Sequence, residues 1–305
     1  MRCLIIHNPA SGPSSDEIYA FAHALAQGGD EVVMRFIGDG MEPEDAVADV
    51  RELDRVVISG GDGTVSNVLD QMRGCGVPTL VFPSGTACLF FNNIGNAPEA
   101  VALAKACRVG RTVKADMGEL FWLDENGNEK RHGFIIIAGS GYDAEIMMKA
   151  APTKNDIGEI AYFLSALATP NPTVAHFTIE HDGIVEELDG ICCMAGNTSV
   201  IQNGINLFPN CRMDDGMVDI VVIEPVRTVQ LLPTVITAAL DPAGKLLGRP
   251  QFKIIQTKEA KIACTPSLGM QFDGEIISSN SGVFGARALP QCLDLIVDEF
   301  SPLGK

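Results

Sequence analysis

The chain has 305 residues, with 39 acidic against 22 basic side chains, a formal net charge of −17 and 46% hydrophobic residues. This length fits two domains or one large one, and the apolar content is ample for full cores. The acidity argues against a nucleic-acid binder and against broad electrostatic docking on anionic lipid, so a membrane role has to use a local apolar or basic patch. No apolar run reaches the roughly 18 residues that would read as a membrane-crossing helix. The strand-like Met1–His7 is too short for a signal-peptide core. Nine scattered cysteines without paired CxxC units predict thiols in a reducing cytosol.

In chain order, Arg2–Ile6 predicts a strand. Ser14, Ser15 and Asp16 offer caps for a helix with Ile18, Phe21, Ala22 and Leu25 on one face, ended by Gly28-Gly29. Glu31–Ile37 predicts a second strand and Pro43–Leu53 a helix. Strands at Arg55–Ser59 and Pro78–Phe82 and a helix at Pro98–Arg108 follow. This alternation implies a parallel sheet with helices on its faces. Ligands of such sheets bind beyond the carboxyl ends of the strands, where Asn8, Gly60–Thr64 and Gly85-Thr86 fall.

From about Arg111 the pattern turns β-rich. Asn126-Gly127 and His181-Asp182-Gly183 are hairpin signals. Strands are expected at Gly133–Ala138, Val174–Glu180, Gly190–Gly196, Met217–Ile223 and Phe252–Cys264. Helices are expected at Asp143–Ala150, Gly158–Leu167 and Val226–Leu240. The five histidines have no ligand spacing and read as structural. Gly139-Ser-Gly-Tyr-Asp143 has no βαβ unit around it and is not read as a dinucleotide site.

The most informative motif is Gly60-Gly61-Asp62-Gly63-Thr64, between an apolar strand and the helical stretch Val65–Met72. Bare glycine backbone and the positive end of a following helix suit a large anion, and Asp62 makes sense beside a divalent cation. The same residues also read as a tight turn needing positive φ at several positions. Asn8-Pro9-Ala10-Ser11-Gly12 reads as a nucleotide-approaching loop or an ordinary βα turn. Thr86, in Pro83-Ser84-Gly85-Thr86, reads as a helix cap or a phosphate donor. Asp214-Asp215-Gly216 with Asp219 reads as a metal loop or a turn into a strand. Asp273-Gly274-Glu275 offers two carboxylates for general-base or cation-orienting work, or a hairpin tip.

Taken in order, these motifs resemble the diacylglycerol kinase catalytic-domain family, which includes bacterial soluble lipid kinases and the sphingosine kinases. Asn8-Pro9-x-Ser11-Gly12, Gly60–Thr64, Pro83-x-Gly85-Thr86, Gly139-x-Gly141-x-Asp143-Ala144, Asp215-Gly216-x-x-Asp219 and Asp273-Gly274-Glu275 carry the match across nearly the whole chain. The resemblance implies an α/β nucleotide domain over residues 1–118 and a mainly antiparallel, sandwich-like β domain over 119–291, with the active site in the cleft. Residues 292–305 would return to the first domain. It implies ATP-dependent, Mg²⁺-assisted phosphorylation of a lipid hydroxyl, with diacylglycerol as one acceptor. Asn8, Pro9, Ser11, Gly12, Gly60, Gly61, Asp62, Gly63, Thr64 and Thr86 would hold ATP. Asp62 would bear on Mg²⁺ and phosphate, and Glu275 would accept the proton with Asp273 beside it. A second, structural Mg²⁺ would take Asp215 and the main-chain oxygens of Arg212 and Met217. A cytoplasmic enzyme touching the membrane peripherally is implied, and a homodimer is left open.

The chain departs from the family pattern in two places. Cys88 stands where asparagine is common and cannot make that amide's hydrogen bonds. Ser66-Asn67 replaces a common Asn-Glu. Two rival readings follow. An NAD kinase shares the GGDGT turn, but its Thr/Ser/Gly-rich second motif is not found here. A nucleotide-binding pseudokinase or regulator would account for the two departures.

Overall fold

The computed structural model describes residues 1–12, 16–38, 40–142, 144–145, 171–202, 205–206, 208–241, 244–277, 279 and 281–305. The caps expected at Ser14 and Ser15, and the helices expected at Asp143–Ala150 and Gly158–Leu167, lie outside them, apart from Ala144 and Glu145. Two units are present, one of Met1–Met117 with Pro290–Lys305 and one of Gly118–Leu289.

The first unit runs β1 (Arg2–His7), α1 (Glu17–Gln27), β2 (Glu31–Phe36), α2 (Pro43–Ala46), β3 (Arg55–Gly60), α3 (Asp62–Gln71), β4 (Thr79–Pro83), α4 (Leu89–Ile94) and α5 (Ala100–Val109). Strands β2-β1-β3-β4 pair in parallel. The apolar runs of β1, β3 and β4 are buried on both faces, as a helix-covered parallel sheet requires. Ile18, Phe21 and Leu25 of α1 face the core. Arg108, in the last turn of α5, closes the end of α1 by donating to the carbonyls of Ala24 and Leu25 at 2.8 and 2.6 Å. It also meets Asp30 at 2.6 Å. The C-terminal segment is tied in through Asn96, whose Nδ2 donates to the Ile296 carbonyl at 3.1 Å and whose Oδ1 accepts the Asp298 N–H at 2.9 Å.

The helix expected over Pro43–Leu53 is broken. After α2 the chain resumes as one 3₁₀ turn, Val50–Glu52. Arg35 explains the break. Its guanidinium takes the Ala46 carbonyl at 2.7 Å and grips the Asp49 carboxylate at 2.6 and 2.7 Å, so the helix end is satisfied from β2.

The second unit is mainly antiparallel. It begins within β5 (Arg111–Leu123) and continues as β6 (Glu129–Phe134), β7 (Ile137–Gly141), β8 (Ala175–His181), β9 (Ile184–Gly190), β10 (Cys192–Gly196), β11 (Val200–Gln202), β12 (Ile205–Asn206) and β13 (Val218–Ile223). Then come α6 (Leu232–Leu240), β14 (Phe252–Thr257), β15 (Glu259–Thr265), β16 (Met270–Phe272), β17 (Glu275–Ile277) and β18 (Val283–Val297), which leaves the unit at Leu289. One sheet of this unit carries β18-β15-β8-β9, and the other is β14-β13-β10-β7-β16-β17. Phe177, Ile179, Ile262 and Phe284 of the first share a core with Ala138, Cys193, Ile220 and Val222 of the second. That is sandwich packing. Cys192 and Val221 point the other way into a second core with Phe208, so these strands are buried on both faces. The fold class therefore matches the sequence expectation.

Four local expectations differ. The strand expected over Gly133–Ala138 is split between β6 and β7, because Asp273 takes the N–H groups of Ile135, Ile136 and Ile137 at 2.7, 2.9 and 3.0 Å. The strand expected over Phe252–Cys264 turns at Lys258, and its halves pair in opposite sheets, β14 on β13 and β15 on β8. For strand β9 the sequence predicts only the hairpin turn before it and no bounds; the strand completes that hairpin at Asp182-Gly183, where φ is +48° and +76°. The helix expected from Val226 begins as a 3₁₀ turn over Thr228–Leu231 and becomes α-helical at Leu232, with Pro233 in its first turn. Among the described residues no helix is long and apolar enough to cross a membrane.

Candidate active site

In the first unit three loops leave the carboxyl ends of β1, β3 and β4. A buried polar chain joins the strand ends beneath them. His7 Nδ1 lies 2.9 Å from Ser59 Oγ, and Ser59 Oγ lies 2.6 Å from Ser84 Oγ. Burial lowers the His7 pKa, which keeps the ring neutral at pH 7. Above this chain Thr64 is the hub. Asn8 Nδ2 donates to its Oγ1 at 2.9 Å, and Ser11 Oγ lies 3.2 Å from the same atom. Pro9 and Thr86 are exposed, and Gly12 lies against the Ser84–Gly85 backbone.

In the GGDGT turn Gly60 serves close approach, and Gly61 is the backbone that Gly85 approaches. Gly60, Gly61 and Gly63 do not have positive φ. A Cβ on Gly60 would meet Thr64 Cγ2 at 2.5 Å, and one on Gly85 would meet Gly61 Cα at 2.5 Å. Two backbones thus touch where β3 and β4 end. The helix does not wait until Val65. It starts at Asp62, with Gly61 as its extended cap, so Asp62, Gly63 and Thr64 form the first turn of α3.

Asp62 is partly exposed, and both its oxygens are engaged. Oδ2 accepts the Leu89 N–H at 3.0 Å and Oδ1 accepts the Phe90 N–H at 2.9 Å. Asp62 therefore closes the start of α4 from another loop, as a capping side chain would. Burial pushes its pKa up, and the two N–H bonds oppose that rise. Each oxygen keeps a second lone pair for a further partner. Thr86 is not the cap of α4. The cap position is Cys88, held left-handed at φ +48°, with Sγ donating to the Gly85 carbonyl at 3.2 Å. Burial and the Asp62 charge push the Cys88 thiol to about 11.

In the second unit Asp273 and Gly274 form the two-residue turn between β16 and β17, with φ of +41° and +94°. Asp273 reaches back to its three N–H partners on the β6–β7 bend, so its carboxylate is a structural clamp. Glu275 opens β17 with its side chain exposed. A residue missed in the sequence belongs here. Buried Asn197 donates its N–H to the Ile136 carbonyl and its Nδ2 to the Ile135 carbonyl, at 2.9 and 3.1 Å, holding the bend from the opposite strand end. A lone Asn-Thr at the end of an apolar strand gives little warning of this.

Asp215 lies on the loop before β13. Its Oδ1 accepts the Met217 N–H at 3.0 Å, and Gln256 Nε2 lies 3.3 Å from Oδ2. The Arg212 guanidinium is turned to Asp214 at 2.8 and 2.9 Å. Burial raises the Asp219 carboxyl, and the nearby Asp215 charge raises it further. No three His, Cys, Asp or Glu side chains cluster as a metal site among the described residues. A site at Asp215 would combine one exposed carboxylate with main-chain oxygens, a hard donor set that fits Mg²⁺. In its sheet β13 is separated from β17 by three strands. At about 4.8 Å per strand that sets Asp215 roughly 19 Å from Glu275. A cation there would hold the loop rather than act on a substrate at Glu275.

Comparison with known proteins gives two family matches, one after the other along the chain. Residues 2–120 match the diacylglycerol kinase catalytic domain, and residues 136–297 match the YegS C-terminal NAD kinase beta sandwich-like domain. A Mycobacterium tuberculosis protein named diacylglycerol kinase is 29% identical over 241 residues, covering 75% of this chain and 73% of that protein. One from Bacillus subtilis is 26% identical over 292 residues, covering 90% and 89%. The crystal structure of a Bacillus anthracis diacylglycerol kinase superposes with a TM-score of 0.72 at 21% identity, over 98% of this chain and 97% of that one. Yeast NADH kinase superposes with a TM-score of 0.53 at 10% identity, over 98% and 84%. At such identities the structural likenesses speak to the fold alone. The chain belongs to the diacylglycerol kinase catalytic-domain family, and it is a kinase.

Proposed function

We propose that this kinase moves the terminal phosphoryl group of ATP to the hydroxyl of a lipid such as diacylglycerol, working in the cytoplasm and touching the membrane peripherally. The observation that carries the nucleotide half is the contact of Gly85 with Gly61, where no side chain fits on Gly85 and main-chain N–H groups can approach phosphates. Asn8, Ser11 and Thr64 supply hydroxyl and amide groups beside it. Bound Mg²⁺ would neutralise phosphate charge, and Asp62, with lone pairs to spare on both oxygens, is the residue to bear on it.

The acceptor half rests on Glu275, an exposed carboxylate at the start of a short, clamped strand. A new bond forms from the lipid hydroxyl oxygen to the γ-phosphorus as the bond to the β–γ bridging oxygen breaks. ADP leaves, and Glu275 takes the hydroxyl proton. Asp273 serves by positioning, since its own carboxylate is committed to three N–H groups. The lipid acceptor is favoured over NAD by the Asp273-Gly274-Glu275 and Asp215-Gly216 motifs.

The test is incubation of the whole chain with labelled ATP and either diacylglycerol or NAD. Label in phosphatidic acid, with Glu275→Gln slowed by about 10²–10⁴-fold, is the expected result. Wild-type turnover in that variant refutes the role of Glu275, and label in NADP alone refutes the lipid reading.

A further inference from the structure

Among its described side chains, helix α6 presents three apolar residues to solvent. Its buried positions include the small residues Thr234 and Ala238, while Pro233, Ile236 and Leu240 lie exposed at spacings of three and four, on one side. Ile236 is 55% and Leu240 73% exposed, and just beyond them Leu246 and Leu247 are 89% and 50% exposed. Single exposed leucines need no explanation, but four bulky aliphatic residues at one helix end do.

The chain gathers them deliberately. Asp241 follows Leu240, and its Oδ2 accepts the N–H groups of Leu246 and Leu247 at 2.7 and 2.8 Å. Arg249 locks the return, donating from Nη2 to the Asp241 carbonyl at 3.0 Å and from Nε to the Asn206 carbonyl at 2.9 Å. The two leucines are therefore held outward by the hydrogen bonds of Asp241 and Arg249.

Charge selects the occupant. Between Glu224 and Glu259 the sole acid is Asp241, against Arg227, Lys245, Arg249, Lys253 and Lys258, in a chain of net charge −17. Asp241 is committed to the turn, and Lys253 pairs with Glu186 at 3.1 Å. Lys245 stands exposed directly before Leu246. The net charge disfavours a second copy and an anionic bilayer alike, so the local patch decides: exposed leucines beside an exposed lysine, with the nearby acid committed, is the pattern that an anionic bilayer accepts.

We propose that the outer face of α6 with the Leu246–Leu247 turn is the surface by which this protein docks on anionic membrane lipid. The leucines enter the acyl boundary and Lys245 meets lipid phosphate. The proposal rests on the lipid-kinase reading for its purpose, and its test separates the two. Sedimentation of the whole chain with phosphatidylglycerol/phosphatidylcholine vesicles, without ATP, is compared for wild type, the double variant Leu246→Asp with Leu247→Asp, and Lys245→Glu. The double variant should lose roughly tenfold or more in vesicle partitioning. Lys245→Glu should weaken binding to anionic vesicles and leave binding to neutral ones unchanged. Both should keep the wild-type melting curve and the wild-type rate on short-chain diacylglycerol dispersed in detergent. Wild-type partitioning by the double variant, or no vesicle binding by wild type, overturns the proposal. So does an oligomer, seen by light scattering without lipid, that the double variant dissociates. Vesicle binding that needs the leucines, in a protein that phosphorylates no lipid, sustains the surface and refutes the substrate reading.

Discussion

Asp62→Asn separates what Asp62 does for the fold from what it does for phosphate. The carboxylate accepts two main-chain N–H groups at the start of α4, one on each oxygen. Asparagine keeps one acceptor and turns an NH₂ group toward the other N–H. A hydrogen bond to a charged acceptor contributes about 1.5–3 kcal/mol. Removing the charge also removes the burial cost that pushes this carboxyl up. The net loss should therefore be about 1–2 kcal/mol, or roughly 3–6 °C in the melting temperature of a unit this size. Asp62→Ala, which abolishes both bonds, should cost about 2 kcal/mol, as loss of a strong helix cap does. The assay is thermal melting followed by circular dichroism, without nucleotide or metal. If Asp62→Asn melts within 1 °C of wild type under these conditions, Asp62 does not hold α4. Any loss of activity would then belong to phosphate or cation handling alone.

Gly85→Ala places a methyl group 2.5 Å from Gly61 Cα. Two backbones must part, at a cost of about 1–3 kcal/mol, and ATP affinity measured by calorimetry should fall with it. Unchanged affinity would show that the contact is not part of the nucleotide site. Asp30, gripped by Arg108 and the N-terminal ammonium at 2.6 and 3.1 Å, has its pKa lowered: its burial alone would raise it, and those partners outweigh that. A lowered carboxyl stabilises the fold above its unfolded value near 3.8 and loses that contribution as pH falls through the folded value. Asp30→Asn should therefore flatten the acid limb of the stability curve below about pH 4 and lower the plateau above it; parallel limbs refute the assignment. Cys88, with its thiol near 11 instead of 9.0, should alkylate about 100-fold more slowly than an ordinary thiol at pH 8. Peptide mass mapping reads this directly, and an ordinary rate refutes the assignment.

The parts of the fold that were legible in the sequence are those whose signal is local. Apolar runs ended by glycine or asparagine turns placed β1, β3, β4 and both hairpins. The parts that were not legible depend on partners far along the chain. Nothing within Pro43–Leu53 shows that Arg35 will take the Ala46 carbonyl, and nothing within Gly133–Ala138 shows that Asp273, well over a hundred residues later, will bend it. The site divides in the same way. Asn8, Thr64 and Gly85 were singled out for their residue types, which suit close approach. The engagement of Asp62 with α4 was not visible, because a capping residue is sought just before its helix and this one lies 27 residues earlier.

That engagement also bears on the first departure from the family pattern. An asparagine at position 88 would offer a donor and an acceptor at the cap of α4, and it tolerates the left-handed conformation observed there. Cys88 supplies only a donor, used on the Gly85 carbonyl. Its thiol, protonated at neutral pH in any case, is pushed further that way by burial and by the nearby charge of Asp62. The acceptor that cysteine lacks is not needed for the cap, since Asp62 already takes the first two N–H groups of α4. Cysteine and aspartate thus share between them the capping work that an asparagine side chain could do in part alone, and the loop around Gly85 keeps its shape. The consequence of the departure is then confined to any contact an asparagine amide would make with a bound nucleotide. Cys88→Asn isolates that contact. It should leave thermal stability within about 0.5 kcal/mol of wild type, as a substitution that keeps the cap satisfied does. If it instead destabilises the chain by more than about 1 kcal/mol, the thiol is doing structural work that Asp62 does not cover.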